Sequence, residues 1–243
     1  MQLESLVKPE KYTELRKTKA GYYSLIADEQ NLVGDNLKYA NLYNRLAPLY
    51  NISQKFFYKL KFGGERNFRN QFLSKLDIQD NQKVLEISVG TADNMAFLNK
   101  KAHYVGIDIS SGMLKMAVRH TKKWRIAAEL IQCEAESLPF LSNVFDCVYH
   151  FGGINYFNDK RQAIEEMIRV AKEGSLILIS DETDEIVKKY YQKNPFTKDE
   201  FTNIPNITNE IMALIPENME KIHLDMMNDG LIYAITFIKP FAD

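Results

Sequence analysis

The sequence predicts an α/β domain: a doubly wound, mostly parallel sheet of seven strands, with helices on both faces and an antiparallel hairpin at its C-terminal end. Three observations carry that expectation. From Lys83 onward, short β-rich runs alternate with helical stretches, the pattern of strand–helix–strand units in a parallel sheet. Those runs are dense in Val, Ile and Leu, as strands buried on both faces are. Asn228-Asp229-Gly230 separates the last two β-rich runs, and Asp-Gly readily supplies the positive φ angles of a hairpin turn, so the sheet ends antiparallel.

The first five strands are expected at Lys83–Ser88, His103–Asp108, Glu129–Cys133, Phe145–His150 and Ser175–Asp181. Ser110 is placed to cap a helix with Met113, Leu114, Ala117 and Val118 on one face, and Asp159 a second with Ala163, Ile164, Met167, Ile168 and Ala171. A helix near Asp184–Tyr191 follows, then a polar stretch with Pro195, Pro205 and Pro216, and last the β-rich runs Met219–Met226 and Leu231–Ile238. Residues 1–80 differ: tyrosines and phenylalanines, among them Tyr39, Tyr43, Tyr50, Phe56 and Phe57, lie among helix-forming charged residues. We therefore expect a helical extension over 1–80, acting as a substrate lid, and a cofactor-binding domain over 81–243.

Composition bounds the function. At 243 residues, 45% hydrophobic and 26% charged, the chain suits one domain with a modest extension and a packed core. A net charge of −1 gives no global field that would draw in nucleic acid. No stretch approaches the roughly 18 apolar residues of a membrane span and the N-terminus has no signal-peptide pattern, so a cytoplasmic protein is expected. Cys133 and Cys147 lack metal-type spacing and read as small core residues; no metal site is expected. The basic run Lys115, Arg119, His120, Lys122, Lys123 and Arg125 reads as a solvated helix face, and the acidic run from Asp181 to Glu185 as the start of a helix.

The chemistry centres on Val84 to Asn94, a strand that breaks into a tight turn and is expected to open a helix. Ligands of open α/β sheets bind there, off the carboxyl end of the first strand. Dinucleotide enzymes need three glycines in this turn so that the backbone approaches a pyrophosphate. Here those positions are Ser88, Gly90 and Ala92. A cofactor without phosphates asks less of the loop, and S-adenosylmethionine leads among such cofactors. Asp108 ends the second strand, where a carboxylate accepts hydrogen bonds from ribose hydroxyls.

Three further segments, Cys133 to Phe140 (CEAESLPF), Phe145 to Val148 (FDCV) and Met167 to Gly174 (MIRVAKEG), follow in order. With them the chain resembles the class I S-adenosylmethionine-dependent methyltransferases over roughly Tyr43 to Asp181, which implies a Rossmann-like fold. Tyr43 to Tyr50 (YNRLAPLY) makes it most similar to the ubiquinone/menaquinone-biosynthesis C-methyltransferase group. The resemblance implies that Glu86, Ser88 and Gly90 lie by the methionine portion of the cofactor and that Asp108 holds the ribose. Ile109 and Met113 would sandwich the adenine, Glu134 and the Ala135 amide would read its edge, and Tyr50 would close over the methionine end. The chain departs from the family pattern at Ser88 and Ala92, in place of glycines, at Glu134 for aspartate, at Glu173 for proline and at Ser175 for glycine.

Methyl transfer from a sulfonium needs alignment and exclusion of water rather than a fixed triad. His150, ending the fourth strand, is a candidate base, weighed against a structural role. Tyr43, Asn155 and Tyr156 are candidates for holding the substrate. The expected partner is a small-molecule acceptor methylated on oxygen, nitrogen or carbon, in a monomer or homodimer. The competing readings are a non-catalytic cofactor-binding or scaffolding protein, a nicotinamide oxidoreductase, which the missing glycines oppose, and an RNA methyltransferase, which lacks its Asn-Pro-Pro-Tyr-type element here.

Overall fold

The computed structural model describes residues 2–186 and 207–242. From the N-terminus run a short helix α1 (Pro9–Glu14), two-residue strands β1 (Arg16–Lys17) and β2 (Tyr23–Ser24), a long helix α2 (Gly34–Phe62) and α3 (Glu65–Leu73). Then come β3 (Lys83–Ile87), β4 (His103–Asp108), α4 (Ser111–Trp124), β5 (Ala128–Gln132), β6 (Phe145–Phe151), α5 (Lys160–Val170) and β7 (Ala171–Glu182). A turn of helix α6 (Asp184–Ile186), α7 (Ile207–Leu214) and the strands β8 (Glu220–Met227) and β9 (Ile232–Ile238) complete the described chain. The rest of the helix expected over Asp184–Tyr191, with Pro195 and Pro205, lies outside the described residues, as do the side chains of Phe56 and Phe57.

The sheet order is β1-β2-β5-β4-β3-β6-β7-β9-β8, with β3 central and the order of strands reversing between β3 and β6. Strands β5, β4, β3, β6 and β7 are parallel, while β9 pairs antiparallel with β7 and with β8 across a turn in which Asn228, Asp229 and Gly230 all have positive φ. Nine strands replace the seven expected. The additional pair comes from the N-terminal segment: Tyr23 and Ser24 run parallel to Ile131 and Gln132, covering an edge of β5 that would otherwise present unpaired amides and carbonyls. Strands of two residues are too short for a side-chain period, so the sequence pattern did not reveal them.

Both faces of the sheet are buried. Leu85, Ile87, Val105, Val148 and Ile179 pack with Ile164 and Met167 of α5 on one side. Val84, Tyr104, Cys147 and Tyr149 pack with Phe68, Phe72, Leu114 and Ala117 of α3 and α4 on the other. The expected caps form: Ser110 Oγ accepts from the Met113 amide at 3.1 Å and Asp159 Oδ1 from that of Gln162 at 3.0 Å. Helix α5 stops one residue early, because Ala171 turns extended and pairs with Phe145 as the first residue of β7. Among the described residues no helix is long and apolar enough to cross a membrane.

Polar locks explain two segments of the pattern. Asp146 accepts from the Lys83 amide at 2.8 Å and pairs with Lys172, tying β6 to the start of β3. Arg169 donates to the carbonyls of Phe140 (2.8 Å) and Leu138 (3.2 Å), while its neighbour Glu166 accepts from the Leu138 amide at 2.8 Å. The loop after β5 is thereby held by α5.

Candidate active site

The turn after β3 forms a single 3-10 turn, Asn94–Phe97, in place of the helix expected there. Leu98 is already extended, and the chain must reach β4 at His103 within a few residues. Ser88, Gly90 and Ala92 have φ of 54°, 54° and 62°. The backbone thus keeps the left-handed path a glycine turn would take, with serine and alanine each bearing about 1–2 kcal/mol of steric cost. Gly106 lets this turn sit against β4, since a Cβ there would lie 2.7 Å from Val89 Cγ2.

Above the turn lies a cavity of about 530 Å³, within the usual range for small-molecule sites. One wall comes from the strand ends: Ser88, Gly90, Asp108, Ile109, Met113, Ala135, Asn155 and Tyr156 all line it. The opposite wall is α2, which contributes Tyr43 and Tyr50. Three expected site residues do not line the cavity. Glu86 is beneath it, 1% exposed, accepting from Asn94 Nδ2 and Tyr149 Oη, both at 2.7 Å. Glu134 is turned to α2, accepting from Asn36 Nδ2 at 2.9 Å.

The third is His150, which packs edge-on against Phe157 inside the core. Burial pushes its pKa down to about 3, the Gly152 backbone offsetting this only in part, and neither ring nitrogen makes a hydrogen bond of ordinary geometry among the described residues. An imidazole so weakly basic and so placed is a poor proton acceptor for a ligand in the cavity.

Asp108 is held from two sides, its Oδ2 accepting from the Gly90 amide and its Oδ1 from that of Ser110, both at 2.8 Å. Burial nevertheless raises it to about 6. Asp181, the residue before the last of β7, is held in a similar way, with Oδ2 accepting from the amides of Gly153 (3.0 Å) and Ile154 (3.1 Å), and burial likewise raises it to about 6.

Several lining residues carry no motif. Arg69 of α3 is buried, bonded to Glu65 at 3.0 Å and to Asn94, and 3.7 Å from Asp93. Asp93 also lies 3.3 Å from His120 Nδ1, so His120 turns inward while Lys115, Arg119, Lys122, Lys123 and Arg125 stay exposed. Asp181 and Glu182 line the cavity from the end of β7 rather than opening a helix.

Helix α2 is latched to the strand-end loops. Asn36 donates to Glu134 and Glu136 beyond β5. Asn44 Oδ1 accepts from Ser110 Oγ and the Gly112 amide, both at 2.7 Å, at the start of α4. Glu29 joins this cluster, accepting from Asn44 Nδ2 at 2.7 Å and from the Ser111 amide at 2.9 Å.

A family model described as a methyltransferase domain matches residues 84–174. A demethylmenaquinone methyltransferase of Paenarthrobacter aurescens is 28% identical over 175 residues, which cover 72% of this chain and 66% of that one; the match thus spans just under two thirds of the relative's length. Among solved structures, the cyclase SpnF superposes with a TM-score of 0.65 at 13% identity, covering 86% of this chain and 98% of that one. A putative S-adenosyl-L-methionine-dependent methyltransferase of Methanococcus maripaludis gives 0.61 at 15%, covering 90% and 99%. At such identities the two structures establish a shared fold, and a fold alone does not specify a reaction.

Proposed function

We propose that the chain is a class I S-adenosylmethionine-dependent methyltransferase, as the methyltransferase-domain match and the methyltransferase relatives support, and that it transfers the methyl group of that cofactor to a small-molecule acceptor bound in the same cavity. The observation that carries the reading is the two-walled cavity, with strand-end loops on one side and a tyrosine-bearing helix on the other. The donor set fits the cofactor. Asp108 has lone pairs left for two ribose hydroxyls after receiving its backbone amides, Ile109 and Met113 offer apolar faces to an adenine, and the Ala135 amide lies on the same wall. Arg69 lines the same cavity and is the guanidinium that would meet the cofactor's carboxylate.

Bound, the cofactor supplies an electrophilic methyl on a sulfonium. The protein then has to aim the acceptor atom along the methyl–sulfur axis and exclude water, work suited to Tyr43, Tyr50, Asn155 and Tyr156 under α2. Glu86 acts at one remove by fixing Asn94, which in turn holds Arg69. Glu134 does so by holding Asn36 and with it the start of α2. A quinone ring acceptor is the second reading, favoured by the name of the Paenarthrobacter relative.

S-adenosylhomocysteine tests the proposal without any acceptor in hand. At about 100 times its dissociation constant it is expected to stabilise the protein by roughly 2.7 kcal/mol, or about 5–10 °C in melting temperature, while NADH leaves it unchanged. A shift with NADH and none with S-adenosylhomocysteine would return the site to the nicotinamide class.

A further inference from the structure

The turn after β3 keeps a strained path, and a residue outside the cavity bears on its most strained stretch. Ala92 is fully buried with φ of 62°, its amide 2.8 Å from the Val89 carbonyl oxygen. A side chain in the left-handed region persists only where the surroundings over-determine it. On one side of Ala92 the Gly90 amide is tied to Asp108, and on the other Asn94 is tied to Glu86 and Arg69. The two residues that flank Ala92, Thr91 and Asp93, both line the cavity and both meet one imidazole nitrogen. His120 Nδ1 lies 2.9 Å from the Thr91 carbonyl oxygen and 3.3 Å from Asp93 Oδ1. A carbonyl oxygen only accepts, so Nδ1 carries the hydrogen.

This imidazole comes from α4 and does not line the cavity; its ring rests against Trp124 with centroids 4.7 Å apart. Asp93 also accepts from Thr91 Oγ1 at 2.8 Å and stands 3.7 Å from Arg69 Nη2. Burial works to raise the Asp93 carboxyl, but the hydrogen bond from His120, with Arg69 and Thr91, holds it below the ordinary carboxylate range. Arg69 therefore faces an ionised Asp93 at neutral pH.

We propose that His120 is a positioning residue for the cofactor: its Nδ1–H grips the turn on both sides of Ala92, holding the cavity-lining backbone in its left-handed path and Asp93 beside Arg69. This rests on the reading of the cavity as an S-adenosylmethionine site and adds to it a residue that never touches the ligand. A glycine at position 92 would take the same path unaided. Alanine takes it against steric resistance, and the imidazole supplies the restraint that a glycine does not need. Without the donor the turn relaxes between Thr91 and Asp93, and apparent affinity falls by the fraction of molecules whose turn has left the binding shape.

Two variants separate the donor from the ring. His120→Phe keeps a ring against Trp124 and removes the donor. His120→Asn puts an amide nitrogen where Nδ1 stands, one bond from Cγ in both residues, and removes most of the ring. In calorimetric titrations of the full chain with S-adenosylhomocysteine, His120→Phe is expected to bind at least about tenfold more weakly than wild type, and His120→Asn within about threefold of it. Ala92→Gly alone is expected to stay within about threefold of wild type, and added to His120→Phe to bring the double variant back to within about threefold. Wild-type affinity in His120→Phe, an equal loss in His120→Asn, or no recovery on adding Ala92→Gly overturns the role of His120 and leaves the methyltransferase reading intact. Where circular dichroism shows that His120→Phe does not fold, the smaller His120→Leu takes its place in the same comparisons. Failure of S-adenosylhomocysteine to bind the wild-type protein brings down both.

Discussion

Replacing Glu86 by glutamine is expected to make the protein more stable at neutral and alkaline pH and to flatten its stability–pH curve. Glu86 lies on the central strand β3, and burial raises its carboxyl from an ordinary 4.5 to about 7, against the opposing pull of Tyr149, Asn94 and Arg69. At about 1.4 kcal/mol per pH unit, the ionised carboxylate costs the fold roughly 3 kcal/mol. Since the folded state has the higher pKa, it binds the extra proton. The cost is therefore absent below about pH 4.5, grows between about 4.5 and 7, and is fully present above. Glutamine has the same shape, accepts from Asn94 through Oε1, donates to Tyr149 Oη through Nε2, and never ionises. Urea melts of both proteins at about pH 5 and pH 8 read the difference: below about 1 kcal/mol at the lower pH, and roughly 2–3 kcal/mol in favour of the variant at the higher. Parallel stability–pH curves, or a variant less stable at pH 8, would show that ionisation of Glu86 is not opposed by burial as argued.

Asp108→Ala is expected to weaken S-adenosylhomocysteine binding by roughly 1.5–3 kcal/mol in a protein that stays folded by circular dichroism; calorimetry giving wild-type affinity would assign Asp108 a purely structural role. Gly106→Ala places a methyl 2.7 Å from Val89 Cγ2 and 3.0 Å from Leu130 Cδ2, so a loss of about 1–3 kcal/mol is expected from denaturant melts, with unchanged stability contradicting the close approach of the β3 turn to β4.

The strands of the parallel sheet were readable because each is buried on both faces and announces itself as an apolar run, and the hairpin because Asp229-Gly230 admits few other conformations. The caps at Ser110 and Asp159 were readable for a similar reason, their oxygens having one obvious use. What was not readable depends on residues that meet only in three dimensions. Arg69 lies in a charged helix with no motif, and only folding brings it to Asp93 and Asn94 at the cavity wall. Glu182 was hidden in an acidic run whose later members, Asp184 and Glu185, do open a helix, while Glu182 itself ends a strand. His150 illustrates the reverse: its place near the end of a strand suggested a base, but its ring is fully buried against Phe157 and does not line the cavity.

The latch between α2 and the strand-end loops has a kinetic consequence. Gly112 stands at the start of α4, where its amide has no partner within its own helix, and its hydrogen bond goes to Asn44. Exchange of that one amide hydrogen with solvent therefore reports the seating of a helix 68 residues away in sequence. The same bond stands beside Ile109 and Met113, so whatever settles between those side chains and α2 slows the opening that the amide registers. Reciprocally, an open α2 frees the loop that carries them.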